Sequence, residues 1–333
     1  MNSKTKYQFF ISYRNSVKAS AASKPILDSC ETLKSLGYED HSITFDHNKK
    51  SFRYYSFVLN RFLRFFVRIK KGSVVATQYP VPTIGYFLVL VNKILKFRHI
   101  ALIAIIHDIN TLRLQKLNEG ELRKEIRMLN AYHGLIVHNE IMKDWLIHNG
   151  LSKSIKTVSL EIFDYISSSE KLSDNTSFSI NNEIAFAGHL AKSLFVYELD
   201  HIKRWKFNIY GSDFNTEKNR NINTTWKGEF SPDEIVYNLE GSFGLVWDGI
   251  DSNNIETNTF GNYMRYNNPF KFSLYIAAGL PVIAPRTAAV ASTITDYNIG
   301  FLINNLDDLN EVEISNEQYQ VCLLYTSPSP RDS

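Results

Sequence analysis

The segment from Gly244 to Pro285 constrains this chain more than any other part of it. Phe243 to Trp247 is an apolar run closed by Asp248 and Gly249, the pattern of a buried strand ending at a turn. Asn268 and Pro269 then supply a helix cap and a proline at the first helical position. Gly279 stops that helix, Pro281 prevents it from restarting, and Val282-Ile283-Ala284 begins the next strand. Lys271 therefore falls in the first helical turn, beside unpaired N–H groups and the positive end of the helix dipole, where a phosphate or diphosphate binds. An ordinary βαβ unit with a surface lysine fits the same residues.

The pattern N-P-x-K-x-S-x-Y-x-A-x-G-x-P-V-I is carried by Asn268, Pro269, Lys271, Ser273, Tyr275, Ala277, Gly279, Pro281, Val282 and Ile283. It resembles the donor-binding segment of a bacterial family of GT-B glycosyltransferases, the glucosyltransferase-3-like and galactofuranosyltransferase-like enzymes. GLVWDG, from Gly244, and FAGHLAKSLF, from Phe186 to Phe195, look like two further blocks of that family in the expected order. The resemblance implies two Rossmann-like α/β domains facing each other across a cleft. It also implies an enzyme that builds surface polysaccharide or glycoprotein from UDP-sugars, and a homo-oligomer.

Length and charge agree with such a chain. With 333 residues and 44% hydrophobic content it can bury two cores. Its 37 Lys and Arg nearly balance 34 Asp and Glu, which argues against a general nucleic-acid binder. Two cysteines, Cys30 and Cys322, provide neither a disulfide framework nor a zinc-type cluster. The N-terminus lacks the apolar core of a signal peptide, and the stretches 81–95 and 99–106 fall short of the roughly 18 residues of a spanning helix, so a cytoplasmic enzyme is expected.

Alternating runs predict an open parallel sheet in each half. Strands are expected at 7–12, 42–46, 73–77, 100–106, 134–137 and 157–160, with helices at 25–36, 54–69, 83–97, 121–130 and 140–148. A second set of strands is expected at 183–187, 207–210, 226–228, 243–247, 281–284 and 300–303. The division is an acceptor-side domain at 1–166, a polar linker at 167–182 and a donor-binding domain at 183–320. Residues 321–333, VCLLYTSPSPRDS, turn abruptly to Ser, Pro and Arg and read as a translated sequencing-adapter scar, so the natural C-terminus is expected to be missing.

Further candidates lie at strand ends. Gly188 closes one strand, and Lys192 and Ser193 open the next helix, offering backbone donors and a cation to phosphate oxygens. Tyr210 and Gly211 close another, the glycine for close backbone approach and the tyrosine to pack on a base or ribose, or simply to fill the domain. Asp248 stands where a carboxylate would accept from sugar hydroxyls, or caps the turn with Gly249. The resemblance implies an acceptor-side place for Lys24 with Asp28. Gln78, before Pro80 and Pro82, is a further acceptor-side candidate, and Arg113 could meet a donor or acceptor phosphate or be a solvated helix residue. His107 and Asp108 end the most apolar strand and are general-base candidates; an N-capping aspartate beside a satisfied histidine reads equally well. Residues 52–71 form a basic amphipathic helix suited to an anionic membrane surface, or a domain helix with solvated arginines.

No DxD-type carboxylate pair stands at a convincing strand end, so no metal or other cofactor is expected, and helix dipoles and basic side chains are left to neutralise the diphosphate. The expected activity is transfer of a hexosyl unit, glucose or galactofuranose, from a UDP-sugar to a glycan or lipid-linked acceptor. A UDP-sugar epimerase on the same fold, or a non-catalytic partner subunit, are the alternatives.

Overall fold

Brief β-branched and apolar runs separated by amphipathic stretches can bury their surface only in a sheet covered by helices, and that is the outcome twice over. The computed structural model describes residues 4–13, 23–45, 52–81, 91, 95–114, 118–167, 180–255 and 259–326. The chain divides into two units, Met1–Leu160 and Glu161–Ser333.

The first unit contains β1 (Lys6–Phe9), β2 (Ile11–Tyr13), β3 (Glu39–Asp40), β4 (Ile43–Phe45), β5 (Val74–Tyr79), β6 (Ala101–Ile106), β7 (Gly134–Val137) and β8 (Lys156–Ser159). Six of them make a parallel sheet in the order β3-β1-β5-β6-β7-β8. The run expected as one strand at 7–12 is two: β1 joins this sheet, while β2 pairs with β4 in a separate ribbon. Helices α1 (Lys24–Ser35) and α2 (Phe52–Arg68) precede Asn110–Arg113, Glu119–Leu129 and Glu140–His148. Within α2, Phe62, Phe65 and Phe66, followed by Ile69, are buried at the spacing of one helix face, and Phe65 stacks on Phe9 with centroids 4.8 Å apart. Asn118 and Asn139 cap the last two helices, accepting from the N–H of Gly120 and Met142. Most of the helix expected at 83–97, with Pro82 before it, lies outside the described residues.

The second unit contains β9 (Glu183–Ala187), β10 (Lys206–Tyr210), β11 (Thr224–Gly228), β12 (Phe243–Leu245), β13 (Val282–Pro285) and β14 (Gly300–Ile303). All pairs are parallel, in the order β11-β10-β9-β12-β13-β14. The sheet grows outward in one direction through β10 and β11, then restarts on the other side of β9 with β12. That reversal is the topological switch point, where open α/β sheets leave a crevice at the strands' carboxyl ends. Trp205, Phe207, Phe243 and Trp247 fill the core.

Two expected boundaries shift. The first unit ends at Leu160 rather than 166. Residues 161–166 belong to the second unit, where Phe163 is buried and Tyr165 stacks on Phe270 at 5.0 Å and bonds the Pro232 carbonyl. Of the expected linker, 168–179 lie outside the described residues. At the other end, the helix Asn316–Thr326 runs past the boundary expected at 320, because Tyr319 and Leu323, one helical turn apart, both pack into the core. Residues 327–333 lie outside the described residues. Among the described residues, no helix is long and apolar enough to cross a membrane.

Candidate functional site

The three sequence blocks of the second unit meet at the β9/β12 switch point. Helix Phe270–Ala277 follows β12 and presents Lys271 and Tyr275, four residues apart, on one face. The Tyr275 hydroxyl accepts from the Ala187 N–H at 2.9 Å and donates to the Leu245 carbonyl at 3.1 Å, tying the ends of β9 and β12 together. Burial pushes this phenol above its ordinary range, so it remains a donor. Lys271 reaches the same place: its ammonium donates to the Trp247 carbonyl at 2.8 Å, lies 3.4 Å from Asp248 Oδ1 and sits 4.7 Å from the Phe186 ring centroid. Its side chain is only 13% exposed, so it is a held cation rather than a free surface lysine. A Cβ on Gly188 would stand 3.2 Å from the tip of that same Phe186 ring. Gly188, Phe186, Lys271 and Asp248 therefore form one corner, with a fixed positive charge beside a partly exposed carboxylate.

The cap of this helix differs from expectation. Pro269, with φ −68° and ψ 137°, is the N-cap rather than the first helical residue. Asn268 is buried and its amide donates to the Glu161 carbonyl, so it does not cap. Lys271 is the second helical residue, still within the first turn, where N–H groups commonly lack intrahelical partners, although that of Phe272 already bonds the Pro269 carbonyl at 2.9 Å. Ser273 is buried in the same helix.

Other donor-side candidates separate into two groups. Lys192 is exposed, its ammonium 4.9 Å from the Phe260 ring centroid. Lys192 and Ser193 precede a short 3-10 helix, Leu194–Tyr197, rather than an α-helix, and the buried Ser193 hydroxyl donates to the His189 carbonyl at 3.3 Å. The expected anion-binding helix terminus is therefore absent there. Tyr210 is buried and its hydroxyl accepts from the Glu240 N–H at 2.9 Å, so its ring fills the domain and is not open to a base or ribose. Gly211 has φ +140°, and a Cβ there would lie 1.9 Å from the Gly188 carbonyl oxygen. Only glycine allows these two strand ends to touch.

In the first unit the candidates gather at the ends of β5 and β6. His107 Nε2 donates to Gln78 Oε1 at 2.6 Å, since an amide oxygen can only accept. The imidazole lone pair is therefore on Nδ1, which is buried. The His138 ring donates from Nε2 to the His107 carbonyl at 3.1 Å. Desolvation, with His138 adding to it, drives the His107 pKa down to about 3, so the ring is neutral at ordinary pH. Gln78 is buried, and its amide N–H also faces Cys30 Sγ at 3.7 Å, so its side chain is engaged inside rather than lining an acceptor site. Burial raises the Cys30 thiol to about 12, which leaves it unreactive. Asp108, partly exposed, pairs with Arg113 at 2.6 Å. Lys24 and Asp28 form a buried ion pair at 2.8 Å on α1, so Lys24 is likewise no loose surface cation.

Glu125 escaped the sequence reading. This buried carboxylate accepts from the N–H groups of Asn110 and Thr111 at 2.9 and 2.8 Å, from the Thr111 hydroxyl at 2.5 Å and from the Tyr79 hydroxyl at 2.9 Å. It holds the start of helix Asn110–Arg113 directly behind Asp108. A glutamate in the middle of an amphipathic helix gives no sign of such a role. Tyr275 was visible only as part of a pattern, with nothing local to reveal its partners.

Among known proteins, residues 8–162 match the glucosyltransferase 3-like N-terminal domain and residues 184–328 the glucosyltransferase 3-like C-terminal domain. The chain is 30% identical over 230 residues to the beta-1,6-galactofuranosyltransferase WbbI of Escherichia coli (strain K12), a span of 68% of this chain and 64% of that protein. It is 26% identical over 254 residues to glucosyltransferase 3 of Streptococcus gordonii, covering 75% of this chain and 71% of the relative. In fold it is similar to an alpha,alpha-trehalose 6-phosphate synthase from Burkholderia multivorans, with a TM-score of 0.57 and 6% identity over 97% of this chain and 94% of the other. An alpha-glucosyltransferase in complex with UDP gives a TM-score of 0.51 and 12% identity over 96% and 95%. These are GT-B glycosyltransferases, and the pair of six-stranded parallel sheets is that fold. With both of its halves matched in order, the chain belongs to the glucosyltransferase 3-like family.

Proposed function

We propose that this protein is a glycosyltransferase that moves a hexosyl unit, glucose or galactofuranose, from a UDP-sugar to a glycan or lipid-linked acceptor. The observation that carries the reading is the Lys271 ammonium, fixed at the β9/β12 switch point by the Trp247 carbonyl. As the bond from the sugar's anomeric carbon to UDP breaks, negative charge gathers on the departing diphosphate. Lys271 and the free N–H groups of its helix offset that charge from positions already set before the reaction, and exposed Lys192 adds a second cation. Asp248, beside Lys271, accepts from hydroxyls of the donor sugar.

The acceptor hydroxyl must lose a proton as it attacks. Of the two candidates, Asp108 is the base, because it is partly exposed, whereas His107 has one nitrogen on Gln78 and the other buried. His107, held on Gln78, stays inside the fold. On this reading no metal ion takes part, no nucleic acid is a partner and the enzyme works in the cytoplasm; the family resemblance adds that it works as a homo-oligomer. Contact with a membrane through residues 52–71 serves a lipid-linked acceptor.

Incubation with a panel of nucleotide sugars, with and without membrane extract, tests the reading. Sugar appearing on an acceptor only when extract is present supports it. Conversion of the donor without any acceptor would make the protein an epimerase instead, and no reaction with any donor would make it a non-catalytic subunit.

A further inference from the structure

Residues 47–107 hold eleven of the chain's 37 lysines and arginines and none of its 34 aspartates and glutamates. The rest of the chain is therefore net acidic, and the positive charge is concentrated in one stretch of the first unit. Its described cations differ from some of those elsewhere, although Lys192, Lys206 and Arg286 likewise have no carboxylate partner among the described residues. Lys34, Arg123, Lys143, Arg204 and Lys227 each have a carboxylate partner within 4 Å. Arg61, Arg64, Arg68, Lys70, Lys71 and Lys96 are exposed and have none among the described residues.

Apolar side chains are interleaved with them on the outside of the fold. The inner face of α2 is used up by Phe62, Phe65, Phe66 and Ile69, yet Phe57, Leu63 and Val67 point outward, Val67 being 67% exposed. Leu63 and Val67 are one turn apart, as are Arg64 and Arg68, so a short apolar stripe runs beside a basic one. The Arg98 guanidinium donates to the carbonyls of Phe66, Val67 and Ile69, closing the C-terminal end of α2. That contact sets the neighbouring Phe97, 84% exposed, and Lys96 against the same end of the helix.

We propose that this end of α2, together with Lys96 and Phe97, is a docking surface for an anionic lipid bilayer. The cations meet lipid headgroups while Phe97, Val67 and Leu63 enter the boundary with the acyl chains. A nucleic acid would be served by the arginines alone and would leave the outward aliphatic side chains without a function. The proposal extends the acceptor side of the function above by naming the surface and the lipid charge it selects. It is tested without any sugar donor, so its failure and the failure of the transferase reading are separable.

The test is co-sedimentation of the full chain with phosphatidylcholine vesicles, with and without phosphatidylglycerol, and in parallel its binding to heparin. Sedimentation is expected only with phosphatidylglycerol and is expected to weaken as salt rises. Arg64→Gln with Arg68→Gln removes two cations, each worth about five-fold in partitioning, so a loss of roughly 25-fold is expected. Arg64→Lys with Arg68→Lys keeps the charge and is expected to keep binding. Val67→Ser with Phe97→Ser is expected to weaken vesicle binding and leave heparin binding intact. Equal sedimentation with neutral vesicles would overturn the proposal. So would wild-type vesicle binding by the Val67→Ser, Phe97→Ser protein, which would make the surface a general polyanion site.

Discussion

Gly244 and Tyr275 fit together with no room for a side chain between them: a Cβ on Gly244 would lie 2.2 Å from Cγ of the Tyr275 ring. The glycine that opens GLVWDG is there so that a ring can lie flat on β12 and carry its hydroxyl to two strand ends. Gly244→Ala is expected to lower stability by about 1–3 kcal/mol through overpacking. Tyr275→Phe keeps the ring but strands the Ala187 N–H and the Leu245 carbonyl, at about 1–3 kcal/mol for each group left unsatisfied. Urea melts of the two variants check both, and an unaltered midpoint in either would show that the ring contact matters little.

Glu125 is the corresponding tie in the first unit. Glu125→Ala removes the acceptor for two backbone N–H groups and two hydroxyls in a buried setting. The loss is expected at the upper end for single substitutions, about 4 kcal/mol. Glu125→Gln, which retains one oxygen, is expected to fall between. The same denaturation series measures it.

His107 makes stability depend on pH. Its pKa is about 3 in the folded protein against an ordinary 6.5, so between these values the unfolded chain binds a proton that the folded protein refuses. Its contribution is complete above pH 6.5 and is lost as pH falls toward 3. His107→Gln is expected to flatten that part of the stability-versus-pH curve, whatever it does to stability at neutral pH. Melting temperatures across the range, with and without the substitution, decide it, and parallel curves would assign the acid sensitivity to other groups.

Chelation offers a further check. With Lys271, Lys192 and helix N–H groups offsetting the diphosphate charge, transfer is expected to persist in EDTA. Complete loss of activity that manganese restores would mean that a cation carries the charge instead.

Much of the fold was legible because its signals are local. Period and punctuation marked β5, β6, β7, β9, β10, β12, β13 and β14 to within a few residues, and Gly279, with φ +72°, ends its helix as its sequence position implies. What failed were claims about where side chains go. Asn268 reads as a cap, but a distant carbonyl at Glu161 takes its amide, and an extended Pro269 moves the helix start by one residue. Tyr210 and Gln78 stand at strand ends, as candidates should, yet both spend their polar atoms inside the fold. Partners such as Tyr275 with Ala187, 88 residues apart, are set by tertiary packing that no local pattern encodes.

Lys271 carries the central claim. Its ammonium has a backbone carbonyl at 2.8 Å and a long contact to Asp248, which leaves a donor for a phosphate oxygen. Calorimetric titration of UDP into the wild type and Lys271→Ala, with melting curves for both, tests it most directly. The account expects UDP affinity to fall about 10- to 100-fold, the worth of one charge-assisted hydrogen bond, in a protein that still melts cooperatively. Lys271→Arg is expected to recover part of it, because a planar fork cannot make the same pair of contacts from that position. Undiminished UDP affinity in a folded Lys271→Ala protein would contradict the assignment of the donor site.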